Sequence, residues 1–216
     1  MPRSKPNACI SIGYRLTSIL YVRSENLRMR YHRARLKGGT YFFTVVTHKR
    51  VKIFSQSDNV ELLRQAFRKF IRRHPFRIDA FVLLPDHLHC IWTLPQGDAD
   101  FSTRWQLIKS YFSSQFGFVG WVEGRNPTKT TTSASRLRKN EKSIWQRRFW
   151  EHLIHNHEDL RRHVEYIHYN PVKHGLTKTP GDWHYSSFHR YVDKGIYDIK
   201  WGSGVKIKFD TTVGYE

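Results

Sequence analysis

The sequence predicts an α+β fold of the ferredoxin-like type, an antiparallel sheet with helices on one face, plus an extra C-terminal helix that carries Tyr166. Three observations lead to this prediction. Four runs are typical of strands, two amphipathic runs separate them in the order β-α-β-β-α-β, and a third helical run follows the last strand. The length of 216 residues suits one domain with short appendages.

The first half of the predicted sheet begins after a pair of glycines. Residues 40–48, TYFFTVVTH, are rich in β-branched and aromatic residues, which favours the first strand. A helix is predicted over 58–74, because Asp58 precedes an acidic residue three positions on and apolar residues then recur at helical spacing. Residues 77–84 and 87–94 are the second and third strands, and the Leu-Pro-Asp sequence at their junction predicts a hairpin.

The second half of the sheet follows an aromatic stripe. Aromatic and apolar residues spaced as on one helix face over 101–116 predict the second helix, with Asp100 or Ser102 as its cap. Residues 144–154, IWQRRFWEHLI, are again rich in aromatic and apolar residues, and we interpret them as the fourth strand.

A third helix follows the fourth strand. It is expected to begin at Asn156 or His157 and to end at Pro171, since the residue before a proline avoids the helical region. Residues 182–195 are then expected to form a packed C-terminal cap.

The composition also suggests segment boundaries. Residues 1–28 look unlike the rest and are expected to be a disordered extension before a natural start at Met29, or alternatively a basic arm that touches nucleic acid. We expect a single domain over 29–195. Within it, 120–143 is interpreted as a flexible basic loop, either a clamp that orders on nucleic acid or a disordered insert. The tail, 196–216, is expected to be poorly ordered.

The charge balance points to a polyanionic partner. Lys and Arg number 37 against 18 Asp and Glu, which gives a formal net charge of +19, and aromatic residues make up 15% of the chain. Basic charge with many rings favours single-stranded or distorted nucleic acid, where unstacked bases can lie on aromatic side chains. Two distant cysteines do not make a disulfide framework, and no apolar run approaches the roughly 18 residues of a membrane span. We therefore expect a cytoplasmic, nucleoid-associated protein that does not enter the membrane.

The candidate site begins on the third strand. His87 and His89 are two residues apart, so on a strand their side chains project from one face while Leu88 and Cys90 project from the other. Neutral imidazoles at this spacing are suitable ligands for a divalent metal ion. The plainer alternative is a pair of partly buried histidines without a ligand.

The third helix supplies the second half of the candidate site. Tyr166 and Asn170 are four residues apart and share a helix face. The amide oxygen of Asn170 could join the two histidines around Mg²⁺ or Mn²⁺, and Tyr166 could attack phosphorus, although a phenol with a pKa of about 10 is a weak nucleophile. His163 could assist, and Tyr169 is a rival nucleophile on the same helix.

Two of these motifs carry a resemblance to a known family. PDHLHCIWTLP, which contains His87 and His89, resembles the His-hydrophobic-His element of single-strand endonucleases and transposases. YIHYNPVKHGL, which begins at Tyr166, is similar to the tyrosine helix of REP-associated tyrosine transposases. Stretches around Trp105 and Trp145 fit the same group, and the resemblance covers about residues 29–195.

The resemblance implies a specific activity. Tyr166 would attack single-stranded DNA and form a 5′-phosphotyrosine with release of a 3′-OH, while His87, His89 and Asn170 would hold Mg²⁺ or Mn²⁺. The substrates of the family are repetitive extragenic palindromes, which fold as imperfect hairpins. Some relatives have Gln where Asn170 stands, and either amide offers a carbonyl oxygen.

Basic residues near these motifs are candidates for contact with the DNA. The set combines side chains of the second helix, the basic loop, the fourth strand and the third helix: Arg104, Lys109, Arg136, Arg138, Lys139, Arg147, Arg148 and Lys173.

Two other functions stay open on the sequence alone. One is a protein that binds palindromic DNA hairpins without cleaving them. The other is a zinc-dependent hydrolase, which would need a further ligand and a general base near the histidine pair. The sequence also leaves open a monomer or a homodimer, and a tyrosine helix that packs on its own chain or on a partner.

Overall fold

The computed structural model describes residues 35–119, 144–209 and 213–214. The compact unit that contains them spans Arg33–Glu216. The predicted extension over 1–28 and the predicted flexible loop over 120–143 lie outside the described residues.

A four-stranded antiparallel sheet forms the centre of the domain. Its strands are β1 (Thr40–Val46), β2 (Arg77–Leu83), β3 (His87–Thr93) and β4 (Trp150–Leu153), in the order β2-β3-β1-β4. Every neighbouring pair is antiparallel. This is the strand order of the ferredoxin-like fold, so the predicted fold class is confirmed.

Two long helices cover one face of the sheet. Helix α1 (Ser57–Arg73) begins one residue before the expected Asp58, which lies in its first turn, and Gln56 is the N-cap. Helix α2 (Phe101–Val119) begins as predicted, because the side chain of Asp100 accepts a hydrogen bond from the Thr103 N–H at 3.0 Å. The core beneath them takes alternate residues of the two central strands: Tyr41, Phe43, Val45, Leu88, Cys90 and Trp92.

The opposite face of the sheet carries the C-terminal helices. Helix α3 (His157–Lys173) packs against β2 and β3, and the short helix α4 (Phe188–Asp193) follows a single 3₁₀ turn. Asn156 is the N-cap of α3, and its side chain accepts a hydrogen bond from the Asp159 N–H at 2.9 Å. The helix therefore begins where it was predicted to begin, at Asn156 or His157. The apolar residues at this second interface include Phe42, Ala80, Val82, Ile91, Val164 and Ile167.

The alternation of side chains along β3 fixes where the histidines lie. Leu88, Cys90 and Trp92 enter the core below α1 and α2. His87 and His89 therefore face α3 on the other side of the sheet.

The fourth strand is shorter than predicted. Strand β4 covers Trp150–Leu153 rather than 144–154, and Trp145 forms only an isolated bridge with Thr47. The chain leaves the sheet between these two points, where the two adjacent arginines at 147–148 turn to solvent. A charged pair in the middle of the run interrupts the pairing that its aromatic residues suggested.

The prediction that α3 ends at Pro171 is wrong. The helix continues to Lys173, and the His174 N–H still donates to the Asn170 carbonyl at 3.0 Å. Proline removes one backbone donor, but here the loss falls in the last turn, where few further bonds depend on it. Gly175, with φ of +66°, then ends the helix in the left-handed conformation. Residues 166–174 therefore keep one helical register.

The C-terminal tail packs more closely than expected. Tyr197 stacks on Trp201 at 4.6 Å between ring centroids, and the Tyr169 hydroxyl donates to the Val205 carbonyl at 2.7 Å. Phe209 and Val213 contact the second core, so these described residues of the tail pack on the domain. Across the described residues, no helix has the length and apolar character needed to cross a membrane.

Candidate active site

The two histidines of β3 lie at the centre of the sheet and are almost fully buried. His87 is 1% exposed and His89 is 0% exposed. Their ring centroids are 5.0 Å apart and the rings are nearly perpendicular, at 83°. Two imidazoles this close on one face can bind the same ion.

Each imidazole is held through its Nδ1 atom. The carboxylate of Asp86 lies 2.6 Å from Nδ1 of His87, and the hydroxyl of Thr44 lies 2.9 Å from Nδ1 of His89. Such second-layer hydrogen bonds orient metal-binding histidines and set their tautomers. An ion bound by these rings would consequently be bound through Nε2.

Asp86 is itself held in place. Its other carboxylate oxygen accepts from Arg50 at 3.3 Å. Burial would raise the pKa of Asp86, but hydrogen bonding and charge attraction from His87 and Arg50 outweigh that effect and lower the pKa below its usual value. The carboxylate is thus ionised at neutral pH and available to orient His87.

One face of α3 lies over the histidine pair. The Tyr166 ring is 5.2 Å from that of His89, and the His174 ring is 5.1 Å from that of His87. Asn170 lies midway between these two contacts on the same helix face and is 0% exposed. The structure thus brings together all four residues that the sequence singled out as nucleophile and metal ligands.

The phenol of Tyr166 is enclosed by aromatic and C-terminal residues. It is 1% exposed and meets Phe42 at 6.0 Å and Phe209 at 5.4 Å between ring centroids. Its hydroxyl accepts a hydrogen bond from the ammonium of Lys173 at 3.0 Å. A Cβ atom added at Gly214 would overlap the phenol ring, so the tail passes directly against the candidate nucleophile.

Tyr169 has different surroundings. Its hydroxyl is bonded to the Val205 carbonyl, and its ring contacts Trp201 and Phe209. Tyr166 contacts the ring of His89, whereas the contacts of Tyr169 are with the C-terminal tail.

A second cluster of polar residues lies beside the site. His152, Asp159 and His163 place ligand atoms within 4.8 Å of one another, and such a group could hold a metal ion. The two imidazole rings are stacked, 4.6 Å apart and only 16° from parallel. Lone pairs of stacked rings do not converge on one point, so as they stand these rings suit hydrogen bonding to the shared carboxylate better than joint coordination of an ion.

The bonds within this cluster support that interpretation. Asp159 contacts Nε2 of His152 at 2.9 Å and Nδ1 of His163 at 3.0 Å. Burial lowers the pKa of His163, against the opposing effect of its bonds to Asp159. His163 packs on Phe42 at 4.8 Å, and Phe42 in turn contacts His89 and Tyr166. The cluster therefore supports one wall of the site.

The expectation that Arg104 contacts DNA is corrected by its burial. It is 4% exposed. Its guanidinium donates to the carbonyls of His74, Pro75 and Asp100 and to the Asp98 carboxylate. This side chain joins the end of α1 to the start of α2 and is directed into the protein.

The other predicted DNA contacts have varied positions. The ammonium of Lys109 donates to the Gln146 carbonyl at 2.7 Å, whereas Arg147 and Arg148 are exposed on the loop before β4. Lys173 is exposed at the end of α3 and bonds Tyr166. The three candidates of the basic loop, Arg136, Arg138 and Lys139, lie outside the described residues.

Several residues at the site were not singled out as functional from the sequence. Asp86 was interpreted as a turn residue, yet its position next to His87 is the signal that could have identified it. Thr44 and His174 have no such local signal, because their partners are distant in the chain. The contact of Phe209 and Gly214 with Tyr166 likewise depends on the tertiary structure.

The site thus combines a histidine pair on an antiparallel sheet with a buried tyrosine on the helix that covers it. No family model matches the chain. A REP-associated tyrosine transposase of Escherichia coli K12 is 44% identical over 176 residues, which cover 81% of this chain and 92% of that protein. A Haemophilus influenzae Rd protein that carries the same family name is 41% identical over 182 residues, 83% of this chain and 98% of that one.

A solved structure agrees with these relatives. It is that of a REP-associated tyrosine transposase bound to a REP hairpin, with a TM-score of 0.67, 42% identity, and coverage of 86% of this chain and 96% of that chain. The chain belongs to the REP-associated tyrosine transposases.

Proposed function

We propose that this transposase cleaves and rejoins single-stranded DNA at hairpins of repetitive extragenic palindromes, through a 5′-phosphotyrosine on Tyr166. One observation carries the proposal. The face of α3 that bears Tyr166, Asn170 and His174 lies over His89 and His87. The solved relative bound to a REP hairpin supports the same class of DNA substrate.

The donor set suits a divalent metal ion such as Mg²⁺ or Mn²⁺. His87 and His89 would supply imidazole nitrogens and Asn170 an amide oxygen, a mixed set that Mn²⁺ accepts readily and Mg²⁺ less so. All three side chains are buried, and Asp86 and Thr44 orient the two rings. When bound there, the ion would polarise a phosphodiester oxygen and offset charge that develops on it.

The chemical step assigned to the chain is an in-line displacement. The Tyr166 oxygen attacks phosphorus, a bond from that oxygen to phosphorus forms, and the bond from phosphorus to the 3′ oxygen breaks. The phenol loses its proton and the departing 3′ oxygen gains one, which leaves a 3′-OH and a 5′-phosphotyrosine. Attack by a 3′-OH on the phosphotyrosine reverses the step and rejoins DNA.

Residues of a single chain provide the nucleophile and the metal ligands. Helix α3 packs on the sheet of its own chain, so we propose that the tyrosine acts in cis. The exposed Arg147 and Arg148, together with the net charge of +19, would attract the DNA backbone.

The proposal is tested with an end-labelled single-stranded hairpin oligonucleotide on a denaturing gel. Wild-type protein with Mg²⁺ or Mn²⁺ is expected to give a slow-migrating covalent adduct that a chelator abolishes. Tyr166→Phe should give none, whereas the matched variant Tyr169→Phe should retain it. An adduct that persists in Tyr166→Phe would assign the nucleophile elsewhere.

A further inference from the structure

Lys173 places a positive charge beside the Tyr166 hydroxyl oxygen, which attacks phosphorus in the proposed mechanism. Its Nζ donates to the Tyr166 hydroxyl oxygen at 3.0 Å and lies 4.7 Å from the centroid of the phenol ring. The two residues are seven positions apart, two turns along α3, and the helix keeps its register through Pro171. The contact is thus built into the helix and does not depend on a loop.

The position of Lys173 also marks where DNA can reach the site. Tyr166, Asn170 and Pro171 are buried, while Lys173 and His174 are exposed at the end of the helix. Lys173 lies against Tyr166 and His174 lies against His87. The C-terminal end of α3 is therefore the part of this face that meets solvent, and cations there are also favoured by the helix dipole.

The distance defines what the ammonium can contact during reaction. A phosphorus atom about to be attacked lies roughly 3–3.5 Å from the nucleophilic oxygen. Because the ammonium is 3.0 Å from that same oxygen, a non-bridging oxygen on the lysine side of the attacked phosphate can come within its hydrogen-bonding range. Negative charge concentrates on this group as the displacement proceeds.

We propose that Lys173 is a catalytic residue that orients the Tyr166 oxygen and binds a non-bridging oxygen of the scissile phosphate in the transition state. This inference rests on the proposed function of Tyr166. The ammonium keeps its proton and its charge throughout, and it makes no covalent bond. This role differs from that of a residue that only binds the DNA backbone, because Lys173 would stabilise the transition state more than the bound substrate.

The role can be separated from simple DNA binding by comparing rate with affinity. Removing one preorganised donor to a transition state typically slows the chemical step by about 10²–10³-fold. We therefore expect Lys173→Met to slow single-turnover cleavage at saturating protein by about 10²-fold, while the Kd for the hairpin changes less than about threefold. Lys173→Arg keeps the charge and should recover most of the rate.

The experiment measures the single-turnover rate with Mn²⁺, the hairpin Kd in chelator and the thermal unfolding midpoint for each variant. Lys178→Met is the matched control, because Lys178 is an exposed lysine five positions further on, and it should match wild type in all three.

Two results would overturn the proposal. A wild-type rate at saturation with a weakened Kd would make Lys173 an anchor for the DNA backbone. Equal losses in Lys173→Met and Lys173→Arg, with a lowered unfolding midpoint, would make it a structural residue. Failure of the proposed function is a distinct result, since cleavage by Tyr166→Phe at the wild-type rate would remove the tyrosine mechanism itself.

Discussion

The phenol ring of Tyr166 lies edge-on to the imidazole of His89, 5.2 Å away and inclined by 71°. The histidine belongs to the central strand β3 and the tyrosine to α3, which follows the last strand of the sheet. They meet because α1 and α2 occupy one face of the sheet and leave the other face for α3. The extra helix thus brings the proposed nucleophile, Tyr166, next to a proposed metal ligand, His89.

Replacing one histidine should strongly slow metal-dependent cleavage and spare DNA binding. In His89→Gln the ion would lose one of three protein ligands, so we expect cleavage of the hairpin to fall by at least about 10²-fold, while the hairpin Kd in chelator is unchanged. His184→Gln, at an exposed histidine, is the control. Undiminished cleavage by His89→Gln would remove this histidine from the metal site.

The hydrogen bond from His87 to Asp86 should govern metal affinity. Asp86→Asn weakens the orientation of His87, and losses of 10–100-fold in metal affinity are typical for such partners. We expect the Mn²⁺ concentration for half-maximal cleavage to rise about tenfold, with the saturated rate little changed. Titrations of wild type, Asp86→Asn and the exposed-residue control Asp193→Asn check this. Equal midpoints would mean that Asp86 has no part in metal binding.

The tail should limit access to the nucleophile. Phe209 and Gly214 pack against Tyr166, which is 1% exposed. Ending the chain after Gly204 should uncover the phenol of Tyr166. We expect the cleavage rate to rise severalfold, because Tyr166 would then be accessible to DNA in a larger fraction of molecules. Loss of the buried Val213 should also lower the unfolding midpoint by a few degrees. A slower truncated protein would show instead that the tail supports the site.

The Arg104–Asp98 pair should contribute to acid stability and not to DNA binding. The hydrogen bond from Arg104 is the main reason that the pKa of Asp98 is lowered, against the opposing effect of burial. A lowered folded-state pKa stabilises the protein above the unfolded value of about 3.9, and this stabilisation is lost as pH falls through the folded value.

The variant Asp98→Asn isolates this contribution. We expect it to cost about 1–2 kcal/mol of unfolding free energy at pH 7 and to reduce the decline in stability between about pH 5 and pH 3. Urea unfolding across that range checks the slope, and the hairpin Kd should be unchanged. If the unfolding free energy of the variant declined with falling pH as steeply as that of wild type, the decline would have to come from other carboxylates.

Much of the fold was predictable because its elements have clear periodicity. The alternation along β3 correctly assigned Leu88 and Cys90 to the core and the two histidines to the opposite face. The spacing of Tyr166 and Asn170 correctly placed them on one face of a helix. In regular helices and strands, the buried face shows in the spacing of apolar residues within a short stretch, so it can be predicted from a single sequence.

The remaining features depend on tertiary contacts that no local pattern encodes. Arg104 looks like any helical arginine, and only the fold shows that backbone carbonyls from another helix end surround it. A proline usually breaks a helix when it lies in the middle, but Pro171 lies in the last turn, where a proline is tolerated. The packing of the tail on Tyr166 joins parts of the chain whose sequences carry no sign of each other.

The most direct test of the central claim is to identify the residue that becomes attached to DNA. Wild-type protein is incubated with the hairpin oligonucleotide and Mn²⁺, denatured and digested with nuclease and protease, and the nucleotide-bearing peptide is sequenced by mass spectrometry. We expect a 5′-phosphorylated nucleotide on Tyr166 in a peptide from α3. Attachment to Tyr169 or another residue, or cleaved DNA without any covalent peptide, would contradict it.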